Sequence, residues 1–173
     1  MKKLIMASAI VAGSMTGSLI HAANDGTTGA TSQGDLLITV DVADVVRIAN
    51  LADIDINFAG VDISGSSPAC IYRNGGSSYT VTATTTGPTA GAFEVANATD
   101  SAPYSVDWTV GATTTSLGYN SAVTFSGANN TDDTCGAGAA NNASVEVGIL
   151  ATDFLPVAAG TLTSTLVLTI API

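Results

Sequence analysis

Positive charge is scarce in this sequence. Its 173 residues hold four Lys and Arg together and one His, against 14 Asp and Glu, for a formal net charge of −10. Both lysines, Lys2 and Lys3, and the single histidine, His21, fall within the first 22 residues. Beyond them the only basic residues are Arg47 and Arg73. A nucleic-acid backbone demands a cluster of basic side chains, so nucleic-acid binding is excluded. An anionic membrane surface would repel such a chain for the same reason. Ser-His-Asp and Cys-His catalysis need an imidazole, and Ser-Lys dyads and Schiff bases need a lysine. Residues 23–173 can build none of these, nor a Lys–Asn isopeptide staple. No glycine-rich loop opens a helix, which removes phosphate cradling. Long apolar runs are missing too: after residue 22 nothing approaches the roughly 20 residues of a membrane helix.

The first residues do carry a pattern. Met1, Lys2 and Lys3 precede an uncharged stretch over residues 4–20, and Ile20 and Ala22 fit the two positions before a cleavage site. This reads as a secretory signal peptide, residues 1–22, cut after Ala22. The rival is a retained anchor, but the stretch is short, holds several Gly and Ser, and runs into the polar NDGTTGATSQGD. Removal leaves two arginines against 14 acids, a net charge of about −12. The remainder is long enough for one domain with its own core.

Cysteine occurs twice, at Cys70 and Cys135. In an oxidising compartment an even pair reads as a disulfide. Two free thiols or a metal site are the alternatives, and zinc would lack further Cys or His ligands.

Helical periodicity is absent after residue 23, and alternation of period two recurs between turn-like clusters, as in an antiparallel sandwich. Residues 24–34 read as a mobile arm. In DLLITVDV, Leu36, Ile38, Val40 and Val42 share one face and Asp35, Thr39 and Asp41 the other, with Leu37 the apolar exception. VVRIANLADIDINF suggests one or two strands, and GVDISGSSPAC a turn-rich connector. SYTVTATTT (78–86), AFEVA (92–96), YSVDWTV (104–110), SAVTF (121–125), SVEVGIL (144–150) and TLTSTLVLTI (161–170) are further strand candidates. Within the last, Leu162, Leu166, Leu168 and Ile170 share a face. GANNTDDTCGAGAANNA reads as a long polar loop pinned by Cys135. The expectation is one all-β domain of about eight strands, without repeats.

Candidate chemistry is thin. No pair of carboxylates stands out as in a glycosidase. Asp53, Asp55 and Asp62, or Asp132 and Asp133, offer oxygen ligands for calcium but match no loop pattern, so surface acids are the simpler reading. Trp108 could mark a sugar platform and reads better as core. Threonine rows at 80, 82, 84 and at 161, 163, 165 suit either a flat binding ladder or an ordinary solvent face. The expectation is no catalytic residue, no cofactor and no metal.

The arm carries more. A polar leader running into an alternating apolar strand suits β-strand addition to a neighbour's sheet edge, and left unpaired it would invite aggregation. It equally suits the first strand of the chain's own sandwich.

Three stretches resemble chaperone–usher fimbrial subunits (pilins) of the alpha and archaic clades. LLITVDVADVVRIANL is similar to their N-terminus, PYSVDWTVGATTTSLG to a mid-domain segment and AAGTLTSTLVLTIAPI to the C-terminal strand. Cys70, well inside the domain, departs from the family's usual first cysteine. The resemblance implies an immunoglobulin-like β-sandwich at 44–173 preceded by an extension, residues 23–43, whose donor residues are Leu36, Ile38, Val40 and Val42. It further implies identical or related pilin subunits as partners, a periplasmic chaperone, an outer-membrane usher, and a surface fibre serving adhesion or biofilm. A self-contained secreted module binding carbohydrate or a surface is the alternative, and an enzyme working through carboxylates is a third.

Overall fold

The computed structural model describes residues 23–87, 89–136 and 140–173; the expected signal peptide lies outside the described residues. The chain divides into two units after Val42. In the first, Asn24 and Asp35 exchange backbone hydrogen bonds of 2.9 and 3.0 Å, closing a loop over residues 25–34. Residues 36–42 belong to no strand, and Leu36, Leu37, Ile38, Val40 and Val42 are 59–78% exposed. The expected alternation is therefore present without a ladder among the described residues.

The second unit, Ala43–Ile173, is an all-β, immunoglobulin-like antiparallel sandwich. Its strands are β1 (Val46–Ala49), β2 (Ile63–Arg73), β3 (Ser78–Thr85), β4 (Glu94–Ala96) and β5 (Ser101–Pro103), then β6 (Ser105–Val110), β7 (Thr113–Ser116), β8 (Val123–Ser126), β9 (Ala143–Ile149) and β10 (Leu166–Pro172). One short helix, α1 (Ala151–Phe154), follows β9. A five-stranded sheet runs β1-β2-β9-β6-β7, a three-stranded sheet runs β10-β3-β8, and β4-β5 form a hairpin. All these strand pairs are antiparallel.

The core follows from alternation. Tyr79, Val81 and Ala83 on β3 are buried, as are Val106 and Trp108 on β6 and Val145, Val147 and Ile149 on β9. Their intervening polar neighbours face outward, because successive strand side chains point to opposite faces. Trp108 is fully buried and so belongs to the core. On β3 the Thr80, Thr82 and Thr84 row is half-exposed; Thr80 sits opposite Thr124 and Thr82 opposite Thr169. Residues 161 and 165 lie outside any strand, so the second threonine row is not a ladder.

The expected connector GVDISGSSPAC is instead most of β2, an 11-residue strand. Its Gly, Ser and Pro read as turn formers, but tertiary pairing overrides them. Residues 63–69 of β2 pair with β9, and residues 70–73 pair with β1. Each half thus has a ladder on one flank, and Pro68 sits where a missing N–H is tolerated. Beyond Ala49, residues 51–58 are not in a strand, so VVRIANLADIDINF yields one strand rather than two. The last strand starts at Leu166 rather than 161, because β3, its partner, ends opposite it at Thr85. β5 and β7 arise in stretches outside the expected strands, where hairpin partners supply the order. A disulfide joins Cys70 on β2 to Cys135, anchoring the long loop before β9 as expected. Arg47 Nη1 donates to Asp133 O at 3.0 Å and Asn50 Nδ2 to Cys135 O at 3.3 Å, which holds the same loop against the end of β1.

Candidate functional site

The sandwich is open along one side. β1 and β10 are outer strands of their respective sheets. Where both lie close to Arg73, the sheets are stapled: the guanidinium contacts Asp44 and the Ile173 carbonyl together. Further along, a groove of about 1170 Å³ separates residues 51–58 from residues 155–168.

Its first wall is an extended segment with a strand's alternation but no ladder. Ile54, Ile56 and Phe58 are half-buried, while Asp53, Asp55 and Asn57 are exposed. The segment lies close over β2: a Cβ on Gly65 would come within 2.4 Å of Ile54 Cγ2 and 3.0 Å of Ile56 Cγ1. Glycine is what permits that approach. Ala52 N–H donates to Ser67 Oγ at 2.7 Å, the side-chain substitute for a ladder bond. At the far end the rings of Phe58 and Phe154 meet at 5.1 Å between centroids.

The opposite wall alternates too. Leu162, Leu166 and Leu168 are half-buried and line the groove, whereas Thr161, Thr165 and Val167 are exposed. One flank of this wall is satisfied: Thr163 and Ala96 exchange hydrogen bonds of 2.9 and 3.0 Å, and Thr86 N–H donates to Thr165 O at 3.1 Å. Among the described residues no strand pairs along the other flank of β10. Between the walls the floor is core side chains, Val145, Val147 and Ile149, with Tyr104 beside them. Among the polar side chains of the lining, Ser164 Oγ lies 2.6 Å from Thr85 Oγ1.

Such a site has no nucleophile or base at its centre. It offers a trough floored by apolar side chains and, among the described residues, an unpaired flank of β10. These are the two requirements for receiving an extended segment with alternate apolar side chains.

The other singled-out residues lie apart from this chemistry. Asp53 and Asp55 sit on the groove's rim. Asp62 Oδ1 accepts the Ala151 N–H at 2.8 Å. Asp132 accepts from the Thr134 hydroxyl and N–H, and these bonds, the hydroxyl's first, hold its carboxyl below the ordinary range. Among the described residues no three His, Cys, Asp or Glu side chains are grouped to hold a metal ion, and no helix is long and apolar enough to cross a membrane. Leu36, Ile38, Val40 and Val42 belong to the first unit, and the groove to the second. In the sequence both walls read as amphipathic strands, and the groove itself goes unseen, since a missing neighbour leaves no periodicity of its own.

No family model matches this chain, and no curated protein does. Among solved structures, a chain from a study of a chaperone–tip adhesin complex vital for synergistic activation of CFA/I fimbriae biogenesis is similar in fold, with a TM-score of 0.50 and 12% identity. The match covers 74% of this chain and 41% of that one, so the present chain spans about two fifths of its length. What the two share is the sandwich architecture.

Proposed function

We propose that this chain is a structural subunit of an extracellular fibre. Its segment 35–42 enters the groove of the next copy as a donated strand. The groove carries this reading: an apolar trough beside a free flank of β10 matches a segment whose Leu36, Ile38, Val40 and Val42 are 67–78% exposed in the single chain. Burying those four side chains would contribute a gross ~6–12 kcal/mol.

Chain connectivity favours donation between molecules. The wall at residues 52–58 begins about nine residues beyond Ala43, roughly 30 Å of extended chain. A hairpin folded back at Ala43 would set the polar residues 28–34, not 36–42, opposite that wall. A neighbour's arm has no such constraint.

Export follows from the signal-peptide pattern of residues 1–22. Delivery by a periplasmic chaperone and an outer-membrane usher, and service in adhesion or biofilm, follow from the pilin resemblance. The fold likeness to a chain studied with a fimbrial chaperone and adhesin supports the same direction.

The test is to express the chain for export, intact and with residues 23–42 deleted, and to compare both on size exclusion and native gels. Heat-resistant ladders or filaments from the intact form alone support the reading. Soluble monomers of equal thermal stability from both forms would remove it and favour a self-contained binding module.

A further inference from the structure

Residues 43–45, where the second unit begins, are fastened by side chains just ahead of the β1 ladder. Asn74 Nδ2 donates to Ala43 O at 2.8 Å, and Asn74 Oδ1 accepts the Val45 N–H at 2.8 Å. Between them, the Asp44 carboxylate meets Arg73: Nε lies 3.0 Å from Oδ1 and Nη2 2.5 Å from Oδ2. The turn leaves room for this, since a Cβ on Gly75 would sit 2.5 Å from Asp44 Cγ. Arg73 is only 5% exposed. Its guanidinium continues into the other sheet, with Nη1 donating to Ser78 O at the start of β3 and Nη2 to Ile173 O, 2.5 Å away, just past β10.

One side chain therefore ties the root of the arm to β10. We propose that Arg73 is a tension lock: force entering the domain at residues 43–45 passes through it to β10, the strand against which the next arm docks. This rests on the strand-donation reading above. Without the lock, force would fall on the four-residue ladder of β1, whose first pair is Val46 with Arg73. A ladder pulled from its end opens one pair at a time, so a fastening ahead of the first pair blocks the first step. Charge-assisted bonds suit that position, with Arg73 buried and Asp44 reaching it from a partly exposed site.

Fibres assembled from the full chain, held singly at constant force, test the lock. Asp44→Asn keeps the size of the side chain and removes its charge. Arg47→Ala, in β1, removes the bond to Asp133 O. Unfolding under force follows the unfolding rate, and losing charged hydrogen bonds should raise that rate at least about tenfold for Asp44→Asn. Arg47→Ala fibres should stay within about twofold of wild type. An Asp44→Asn rate within that same margin, or an equal rise for Arg47→Ala, overturns the lock. Should Asp44→Asn fail to assemble, Arg73→Lys takes its place, with the same rise supporting the lock and an unchanged rate overturning it. It keeps the charge and loses the fork that reaches Asp44, Ser78 and Ile173 together. Wild-type chains that form no fibre at all refute strand donation itself.

Discussion

Trp108 Nε1 donates to the hydroxyl of Tyr79 across the sandwich, at 3.3 Å, with both residues 1% exposed or less. Trp108 belongs to β6 and Tyr79 to β3, so this polar contact joins the two sheets through the middle of the apolar core cluster. The Phe125 ring lies 6.1 Å from Tyr79 and 6.3 Å from Trp108, completing an aromatic centre. Replacing Tyr79 by Phe keeps the ring and orphans the indole N–H. The expected cost is about 1–3 kcal/mol in urea denaturation of the exported chain. Trp108→Ala should cost about 3–5 kcal/mol, because it also leaves a cavity.

The same pair sets an alkaline limit. Burial pushes the Tyr79 phenol above its ordinary value near 10, and the bond from Trp108 offsets this in part. A raised folded value means that the protonated phenol is favoured by folding. That stability is fully present below the unfolded value and is lost as pH rises from it through the folded value. Thermal midpoints should therefore fall above about pH 10, and Tyr79→Phe should flatten that part of the profile.

Acid acts through a different residue. The hydrogen bond from Arg73 is the main cause that holds the Asp44 carboxyl below the ordinary carboxylate range. A depressed value places its contribution above the unfolded pKa, to be lost as pH falls through the folded one. Wild-type stability should drop below about pH 3.9. In Asp44→Asn, which has no proton to gain, the drop should be shallower in a pH series of denaturation curves.

Reduction should matter more than any surface substitution. The Cys70–Cys135 bond closes a loop with a sequence separation of 65, which the chain-entropy argument values at about 4 kcal/mol. Urea midpoints measured with and without reductant check this. A double Cys70→Ala, Cys135→Ala chain should match the reduced protein.

Groove geometry predicts the behaviour of a peptide covering residues 34–43. It should bind the chain lacking residues 23–42, and Ile38→Asp in the peptide should weaken binding at least about tenfold, since a charge would enter an apolar trough. Gly65→Ala should also weaken binding, because the added methyl displaces Ile54 and Ile56 from the wall. Fluorescence anisotropy of labelled peptide measures both.

Strands whose two faces differ sharply are legible in the amino-acid sequence. Alternation locates β3, β6, β9 and β10, and places Trp108 inside, because burial on one face writes itself into every second residue. β2 is illegible: its Gly-Ser-Ser-Pro run has weak strand preference, and its order comes from β9 and β1, partners distant in sequence. Residues 36–42 present the converse case, with a strand's pattern and no strand partner among the described residues. The groove between residues 51–58 and 155–168 has no signature of its own. Each wall looks like a half-buried strand, and only the fold reveals that no strand among the described residues pairs between them.

The scarcity of basic residues has a consequence for proteolysis. Proteases of trypsin type cut after Lys or Arg, and residues 23–173 offer them only Arg47 and Arg73. Arg73 is enclosed by Asp44, Ser78 and Ile173, and Arg47 is held in the ladder opposite Tyr72. Neither peptide bond can enter a protease cleft, which binds extended and unpaired backbone, until β1 peels away. The folded domain should thus outlast digestion mixtures that degrade lysine-rich neighbours, and amine-directed fixatives and labels will find no side chain on it to react with.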